Sequence, residues 1–542
     1  MEKPTLQTAD WNRIQCYDPA TGRNLGTVPI TPPEEIPVLL NRCREAQTQW
    51  AQTSLTVRKQ VLRSLLDFVV TNQETICKIS ARDTGKTFLD AQLGEILTTC
   101  EKIKWTLQHG EKALRTEYRE AGTVLKYKYA MVVYEPIGVQ AAIVSWNYPF
   151  HNIVGPIITA LFAGNGIMVK ASEYASWSAS IYLKYIRDII AATGNNPDIV
   201  QLVIGFKESG KALVKAPVDH ITFIGSTAVG KEIMAAAADN LTPCVLELGG
   251  KDCLILRSDC NVDQTLPLVL RGVFQNCGQN CIGIERILAH EAVYDTLVDR
   301  LLERVRQFKQ GAPLDEPNID QGAMTMGEVH LQKLTALVED AVAQGARVRH
   351  GGHVVKHPRF PAGSYFAPTV LTGVTPAMRI ARTDEHFGPV AVLMGPYATD
   401  AELIAAANQC SFGLGSSVFT ANPAQGYDAL ARRLRTGMCN INDFGVNYIC
   451  QSLPFGGVGQ SGFGRLAGYE GIRGVCLTRA ITRDRFPAWI RTSIPAVLQY
   501  PTRSDRAAGD FAMALVNMVY SATWASRAAA LVVLAKLGLA NP

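Results

Sequence analysis

The hydrophobic pattern between residues 126 and 230 alternates short apolar runs with segments of helical periodicity. One helical segment, SIYLKYIRDIIAAT, covers residues 180–193. Continuous apolar strands separated by helices predict a parallel sheet that is covered on both faces. The predicted strands, each bounded by Gly, Pro or Asn, are VQAAIVSW (139–146), GIMVK (166–170), IVQLVIG (199–205) and HITFIG (220–225).

A second cycle of strands and helices begins after LELGGKD and predicts another α/β domain of about 200 residues. Helices are predicted over 263–276, 293–308, 328–344 and 424–435. The strands predicted between them are CLILR, RILAH, TVLT, PVAVLM and SSVFT.

The stretch TVLKYKYAMVVYEP (123–136) follows a different pattern. Leu125, Tyr127 and Tyr129 alternate with lysines, which is typical of an exposed hairpin. Its edge would accept a partner strand.

Two segments fall outside the regular pattern. The run LPFGGVGQSGFGR (453–465) is too rich in glycine for a regular element and predicts a loop that passes close to other backbone. Near the C-terminus, Phe511–Ser526 is an uncharged run of 16 residues, shorter than the roughly 20 that cross a bilayer. This segment predicts a helix that packs on the protein or a subunit, lies in a membrane interface or, least consistently with its length, spans a membrane.

Composition narrows the functional classes. The chain has 542 residues, 47% of them hydrophobic and 19% charged, as in ordinary globular proteins. Its 53 basic and 48 acidic side chains are spread without a Lys/Arg block. Nothing in this pattern indicates a nucleic-acid partner.

The cysteines indicate the redox environment. There are 13, an odd number, without a CxxC pair and after a polar start that does not resemble a signal peptide. This usage favours free thiols in a reducing compartment, so we expect the protein in the cytoplasm or on the cytosolic face of an endomembrane. No metal is expected, because structural zinc sites usually show paired ligands.

Several residues could bind a nucleotide at the carboxyl edge of the first predicted sheet. In HITFIGSTAVGKEIM a strand runs into Gly225, and Gly230 follows within a helix start, where free N–H groups could hold a pyrophosphate. A tight strand-to-helix turn would give the same pattern. Lys170 and Glu173 follow another strand and could bind a ribose, or they could form a solvated pair.

Polar residues with catalytic potential follow the same strands. Asn147 ends a strand before Tyr148 and could donate to an oxyanion, although asparagine is also a common turn residue. Glu247 lies inside an apolar run, where a carboxylate is rarely buried unless it is paired or functional. In FQNCGQNCIGIERI (274–287), Cys277 and Cys281 could be a metal clip, a disulfide, buried filler or a nucleophile.

The ordered set of motifs resembles the aldehyde dehydrogenase superfamily. The motifs are WNYPF, VKASE, GSTAVG, LELGGK, GQNC, EHFGPV and PFGGVGQSGFGR. The resemblance runs from about residue 10 to residue 485. The sequence after GQNC and the long tail after Arg485 further resemble a fungal and plant branch of this superfamily that is associated with endomembranes.

The resemblance implies a fold. It consists of a Rossmann-like NAD-binding domain, a second α/β catalytic domain and a small β oligomerisation element. The expected boundaries are 1–117 with 137–248 for the NAD-binding domain, 249–474 for the catalytic domain, 118–136 with 475–485 for the oligomerisation element, and 486–542 for a C-terminal extension. A homodimer or homotetramer is expected.

The resemblance also assigns roles in NAD(P)-dependent oxidation of an aldehyde to a carboxylic acid. Cys281 becomes the nucleophile, Asn147 the oxyanion donor and Glu247 the general base. NAD is favoured over NADP because Glu173 would repel a 2′-phosphate. The residues implied in cofactor binding are Ser145, Trp146, Lys170, Glu173, Gly225, Ser226, Gly230, Glu385 and Phe387.

Some features depart from the family pattern. His386 puts a titratable group beside the expected nicotinamide-ribose carboxylate, and Ile282 and Ile284 change the wall of the substrate path. Tyr448 and Phe444 are expected near its mouth. Cys277, one helical turn before Cys281, is interpreted as a small buried filler or as a thiol that forms a disulfide under oxidation.

Three alternative functions stay open. A CoA-acylating semialdehyde dehydrogenase is disfavoured by the presence of the base Glu247. A catalytically idle membrane-associated scaffold predicts lost catalytic side chains, and none is lost. A thiol hydrolase without a cofactor lacks a histidine partner for the cysteine.

Overall fold

The computed structural model describes residues 6–8 and 11–539. The chain forms two compact units. The larger comprises the chain up to Leu114 together with Glu135–Leu477, and the smaller comprises Arg115–Tyr134 with the chain from Thr478 onward.

Helices in the described part of the chain range from 4 to 17 residues and occur in both units. A π-helical segment, Gln92–Leu97, joins two of them. The helices are α1 (Ile36–Trp50), α2 (Leu55–Thr71), α3 (Gln73–Thr84), α4 (Phe88–Ala91), α5 (Thr98–Leu114), α6 (Pro149–Ala163), α7 (Ser176–Ala192), α8 (Lys207–Lys215), α9 (Thr227–Ala237), α10 (Val262–Phe274), α11 (Glu291–Val305), α12 (Glu328–Ala343), α13 (Arg379–Arg382), α14 (Asp400–Asn408), α15 (Pro423–Ala429), α16 (Val446–Ile449), α17 (Gly468–Arg473), α18 (Asp505–Tyr520) and α19 (Trp524–Leu539).

Most strands are short and buried. They are β1 (Arg13–Tyr17), β2 (Asn24–Pro29), β3 (Glu117–Arg119), β4 (Lys128–Pro136), β5 (Val139–Ile143), β6 (Gly166–Lys170), β7 (Val200–Val203), β8 (His220–Gly225), β9 (Cys244–Leu248), β10 (Cys253–Leu256), β11 (Arg286–His290), β12 (Arg347–His350), β13 (Val354–Val355), β14 (Tyr365–Phe366), β15 (Thr369–Val374), β16 (Val390–Tyr397), β17 (Ser416–Phe419), β18 (Asn440–Ile441), β19 (Gly462–Phe463) and β20 (Cys476–Asp484).

The first large sheet has the strand order β19-β9-β8-β5-β6-β7. Strands β9, β8, β5, β6 and β7 are parallel, and β19 joins the edge antiparallel, with Gly462 opposite Glu247. Apolar clusters involving α1, α6 and α7 bury this sheet. The predicted parallel sheet is confirmed. The glycine-rich loop contributes β19, which lies against β9 at the edge of the parallel strands, in line with the close approach that its composition indicated.

The second large sheet has the order β12-β15-β16-β11-β10-β17-β18. Its strands are parallel except for β12, which is antiparallel to β15. All five predicted strands of this region are present. The α/β architecture predicted from the sequence is therefore confirmed.

Three helices of the second α/β region end at least two residues earlier than the sequence predicted, and α11, which ends at Val305 instead of residue 308, is one of them. Helix α10 ends at Phe274, and Asn276 and Cys277 then adopt left-handed backbone angles with φ of 52° and 56°. Cys277 therefore does not lie one helical turn before Cys281. Helix α15 ends at Ala429 and is followed by a short 3-10 turn.

The smaller unit contains a three-stranded sheet and a helical pair. The sheet order is β20-β4-β3, and Lys128 of β4 forms an ion pair with Asp484 of β20 at 2.5 Å. Helices α18 and α19 pack against each other, because the chain turns at Ser521–Thr523 inside the uncharged run. The single C-terminal helix predicted there is thus a pair.

No helix in the described part of the chain is long and apolar enough to cross a membrane.

Candidate active site

The three predicted catalytic side chains meet at one cavity. Cys281 lies in the loop after α10, Glu247 lies on β9, and Asn147 lies between β5 and α6. All three line a cavity of about 290 Å³. The parallel first sheet delivers Asn147 and Glu247 to the same edge, where ligands of open α/β folds bind.

Glu247 is a buried carboxyl group with a raised pKa. Burial raises the pKa of Glu247 to about 7, although a hydrogen bond with Cys281 lowers it in part. Its Oε1 atom has no hydrogen-bond partner within the described residues. A buried oxygen without a partner can hold a water molecule in the cavity.

The Cys281 thiol keeps its proton in this arrangement. Burial, followed by the negative charge of Glu247, raises the pKa of Cys281 well above its ordinary value. The thiolate is the reactive form of cysteine. The sulfur therefore needs a nearby base to become nucleophilic, and Glu247 is adjacent.

The amide of Asn147 has a fixed orientation. Its Oδ1 accepts hydrogen bonds from Ser145 Oγ at 2.7 Å and from Asn152 Nδ2 at 3.1 Å. Its Nδ2 donates to the carbonyl of Gln279 at 3.2 Å. Since an amide nitrogen has two N–H donors, one remains available for a developing oxyanion.

Hydrogen bonds hold the loop that carries Cys281. Asn276 Nδ2 donates to the backbone oxygens of Asn147 and Gln279, both at 3.0 Å. The Gln279 side chain donates to Ala323 and accepts from the Thr325 N–H. These contacts show that Gln279 and Asn276 hold the loop in place, a role that the sequence alone did not reveal.

A buried ion pair beneath Asn147 was not predicted from the sequence. Lys86 Nζ lies 2.7 Å from Glu95 Oε1 and donates to the Asn147 carbonyl at 2.6 Å. Glu95 Oε2 accepts from the backbone N–H of Phe150 at the start of α6. The pair therefore fixes the backbone of Asn147, but neither residue stands in a recognisable motif.

The two glycines after Glu247, Gly249 and Gly250, allow close packing. A Cβ at Gly250 would lie 3.0 Å from the Cys281 backbone oxygen, and one at Gly249 would lie 2.1 Å from Glu385 Oε2. Gly250 N–H donates to Glu385 Oε1 at 3.0 Å. Burial, together with the charge of Glu285, raises the pKa of Glu385 to about 8.

The side chain of His386 contacts Glu285, and not the side chain of its neighbour Glu385 as the sequence suggested. Its Nδ1 is 2.7 Å from Glu285 Oε2, and Lys251 Nζ is 2.5 Å from the same oxygen. Burial opposes ionisation of Glu285, but these two neighbours and the N–H groups of His386 and Phe387 hold its pKa well below its usual range. This buried cluster fixes the backbone that presents Phe387.

Aromatic rings form part of the wall of the cavity that contains Cys281. Phe387 has a left-handed φ of 52° and packs edge-on against Trp146 with ring centroids 5.6 Å apart. His330 stacks on Phe387 at 6.4 Å. Ser145, Trp146, Glu385 and Phe387 all line the cavity, and His330 is an additional wall residue that the sequence did not reveal.

A groove of about 490 Å³ contains most of the predicted nucleotide-binding residues. Lys170 and Glu173 line it, with Lys170 Nζ 3.7 Å from Glu173 Oε2. The groove shares Trp146, Gly225 and Ser226 with the Cys281 cavity. The groove and the cavity therefore adjoin each other, and together they have room for an extended ligand.

The start of α9 faces this groove. Ser226 is the N-cap residue, and its side chain makes no capping hydrogen bond, so the first N–H groups of the helix can bind an anionic ligand. Gly230 does not line the groove. A Cβ at Gly230 would lie 2.5 Å from Leu248 Cδ2, so this glycine allows α9 to pack closely on β9.

Cys277 has the environment of a buried filler. Its Sγ contacts the Gly322 carbonyl at 3.3 Å, and burial raises the pKa of its thiol. All thirteen cysteines are free thiols in the structure.

Comparisons with known proteins agree with this geometry. A sequence model described as the aldehyde dehydrogenase family matches residues 6–481. An aldehyde dehydrogenase-like protein of Schizosaccharomyces pombe is 43% identical over 514 residues, covering 95% of this chain and 97% of that protein.

Two solved structures are also similar. Succinate-semialdehyde dehydrogenase from Burkholderia pseudomallei superposes with a TM-score of 0.80 at 31% identity, covering 89% of this chain and 99% of that chain. Betaine aldehyde dehydrogenase from Staphylococcus aureus in complex with NAD+ gives a TM-score of 0.81 at 27% identity, covering 90% and 95%.

Proposed function

The chain belongs to the aldehyde dehydrogenase family, and on that premise we propose that it oxidises an aldehyde to a carboxylic acid through a covalent intermediate on Cys281. The observation that carries the proposal is the convergence of Cys281, Glu247 and Asn147 on one cavity that adjoins a nucleotide-sized groove.

The first step is attack by sulfur. The Cys281 thiol loses its proton to Glu247, and the sulfur bonds to the aldehyde carbon to give a thiohemiacetal. The oxyanion accepts hydrogen bonds from the free N–H of Asn147 Nδ2 and from the Cys281 backbone N–H. The fixed amide orientation means that this donor needs little rearrangement.

In the second step, a hydride leaves the carbon of the thiohemiacetal, which becomes a thioester. The thioester is then hydrolysed. Bound NAD supplies the hydride acceptor. Glu247 transfers its proton to solvent and then removes a proton from water, which attacks the thioester carbon. The carbon–sulfur bond breaks, which releases the acid and regenerates Cys281.

The cofactor groove favours NAD. Glu173 lies at the groove with Lys170, where a carboxylate can accept hydrogen bonds from both ribose hydroxyls and would repel a 2′-phosphate. The uncapped start of α9 would hold the pyrophosphate. We propose residues 1–117 with 137–248 as the NAD-binding domain and residues 249–474 as the catalytic domain.

We further propose that the sheet β20-β4-β3, from residues 118–136 and 475–485, mediates homo-oligomerisation. Strand β3 is only three residues long and lies at the sheet edge. An exposed edge of this kind can pair with a strand of another subunit.

The C-terminal extension, residues 486–542, is proposed to contact a membrane surface. Its helices expose Met513, Val516, Tyr520, Trp524 and Leu531, and exposed apolar patches of this kind mark interaction sites. Aromatic residues are favoured at the membrane–water interface. The free thiols are consistent with a location in the cytosol or on the cytosolic face of an endomembrane.

Substitution of the proposed nucleophile tests the function. Production of NADH or NADPH is measured with aliphatic, aromatic and carboxylated aldehydes, and NAD and NADP are supplied in parallel. We expect turnover with NAD, and we expect Cys281→Ala to abolish it while NAD binding, measured by calorimetry, is retained.

Cys277→Ala is the matched control, because it removes a buried thiol from the same loop. We expect its turnover to stay within about threefold of the unsubstituted enzyme, since only packing is changed. Normal turnover in Cys281→Ala would overturn the mechanism, and turnover that depended on CoA would favour acyl transfer over hydrolysis.

A further inference from the structure

A second, smaller cavity shares walls with the surroundings of Cys281. It has a volume of about 40 Å³, and Asn152, Tyr448 and Phe455 are among its lining residues. Tyr448 packs with Cys281 and Phe455 in one apolar cluster. Asn152 is hydrogen-bonded to the Asn147 amide, so the cavity adjoins the proposed reaction centre.

The lining of this cavity is positively charged. Lys102 and Arg465 both line it, and its lining residues include no aspartate or glutamate. Lys102 is 8% exposed, and no carboxylate among the described residues lies within 4 Å of its ammonium group. Within the described part of the chain, its Nζ donates to the Leu466 carbonyl alone, at 2.8 Å.

A buried ammonium group without an ionic partner is costly for the fold. Burial lowers the pKa of Lys102 to about 8, so the group still carries its proton at neutral pH. A ligand carboxylate would supply the missing partner and the missing hydrogen bonds. This is the reason to expect an anion in the cavity.

Two further side chains give the cavity a polar wall with a fixed geometry. His151 lies 2.9 Å from Thr99 Oγ1 through Nδ1 and 2.5 Å from Tyr448 Oη through Nε2. Burial, with a contribution from the charge of Lys102, lowers the pKa of His151 to about 3, so the imidazole is neutral. Gly155 leaves space here, because a Cβ would lie 3.8 Å from both His151 Nε2 and Lys102 Cδ.

We propose that this cavity binds the carboxylate of a short aldehyde acid, with Lys102 as its ionic partner, while the aldehyde group at the other end of the substrate reacts at Cys281. The inference rests on the proposed function and narrows its substrate class to semialdehydes of dicarboxylic acids. The volume of about 40 Å³ would hold about three water molecules, which suits a carboxylate group better than a long chain.

The test compares two aldehydes of equal length. Succinate semialdehyde and butanal both have a four-carbon chain and differ in the terminal carboxylate. We expect kcat/KM to be at least about tenfold higher for succinate semialdehyde, and we expect Lys102→Met to remove that preference while turnover of butanal is retained. Lys104→Met, which changes an exposed lysine of the same helix, is expected to keep the preference.

A binding measurement separates this inference from the proposed function. Succinate, the dicarboxylate product, is added in a thermal-shift experiment and is expected to raise the Tm of the wild-type protein and of Lys104→Met, but not of Lys102→Met. Oxidation of butanal without any preference for the carboxylated aldehyde would overturn the inference and leave the proposed function standing. Lys102-dependent binding of succinate without oxidation of either aldehyde would support the anion site and contradict the proposed function.

If Lys102→Met does not fold, measurements on the wild-type protein still test whether the cavity binds a carboxylate. A preference below about twofold, together with no Tm shift in succinate, would contradict the anion site.

Discussion

At the residue scale, the ionisation of Glu247 should control the rate near neutral pH. Its pKa is raised to about 7 by burial, so the side chain is protonated below that pH and cannot accept a proton. We therefore expect kcat/KM to rise with pH through about 7 and to fall about tenfold per unit well below it. Steady-state rates measured between pH 5.5 and pH 9, with the pH held by overlapping buffers, test this rise of kcat/KM.

Glu247→Gln tests whether Glu247 causes this rise of the rate with pH. It preserves the size of the side chain but cannot accept a proton, so we expect kcat to fall by about 10²–10⁴-fold and the rise near pH 7 to disappear. If the variant kept the same pH profile, the rise near pH 7 would come from the ionisation of another group. Glu385, whose pKa is about 8, would then be the first candidate.

The sequence predicted residues that stand in motifs and missed residues that support them. Cys281, Glu247 and Asn147 were recognisable because each stands in a familiar motif: Asn147 follows a strand, Glu247 lies within one, and Cys281 lies in a loop after a helix. Lys86, Lys102 and Glu285 were not, because a buried charge looks like a surface charge in a sequence. Their partners lie on other elements, and only the fold brings them together.

At the element scale, strand β19 supports the position of Glu247. Gly462 has a φ of 94°, and a Cβ there would lie 2.0 Å from the backbone oxygen of Leu246. Gly462→Ala must therefore push β19 away from β9. We expect a loss of about 1–3 kcal/mol in stability, seen as a lower Tm, together with lower turnover because Glu247 shifts.

Gly509→Ala is the control for Gly462→Ala. Apart from its chain neighbours and the backbone of its own helix, no atom of the described residues lies within 4 Å of a Cβ at Gly509. The residue is inside α18, where alanine is favoured over glycine. We expect unchanged turnover and an equal or higher Tm. If Gly462→Ala behaved like this control, the close contact between β19 and β9 would not be important for the site.

Element boundaries were predictable only where the chain itself marks them. Strands β6 and β8 match the predicted residues because glycine and flanking polar residues bound each apolar run. Helix α10 ends two residues before its predicted end, because Asn276 bonds to backbone oxygens of Asn147 and Gln279 instead of continuing the helix. Such tertiary hydrogen bonds cannot be read from periodicity.

At the scale of the whole molecule, the sheet β20-β4-β3 and the C-terminal helices should have separable roles. We propose that the sheet mediates oligomerisation and that the helices bind a membrane surface. A truncation to residues 1–490 keeps the three strands and removes both α18 and α19. We expect it to retain the oligomeric mass of the full chain in analytical ultracentrifugation and to lose flotation with anionic phospholipid vesicles.

A single substitution makes the membrane part of this prediction independent of truncation. Val532 is 54% exposed on α19, so Val532→Glu should leave the fold and the oligomer intact. A charge on the apolar face of an interfacial helix opposes its burial among lipid chains, and we expect flotation to fall at least about tenfold. If the variant dissociated into monomers and the full chain did not float, the helical pair would instead be part of the subunit interface, which is the other role that its apolar surface allows.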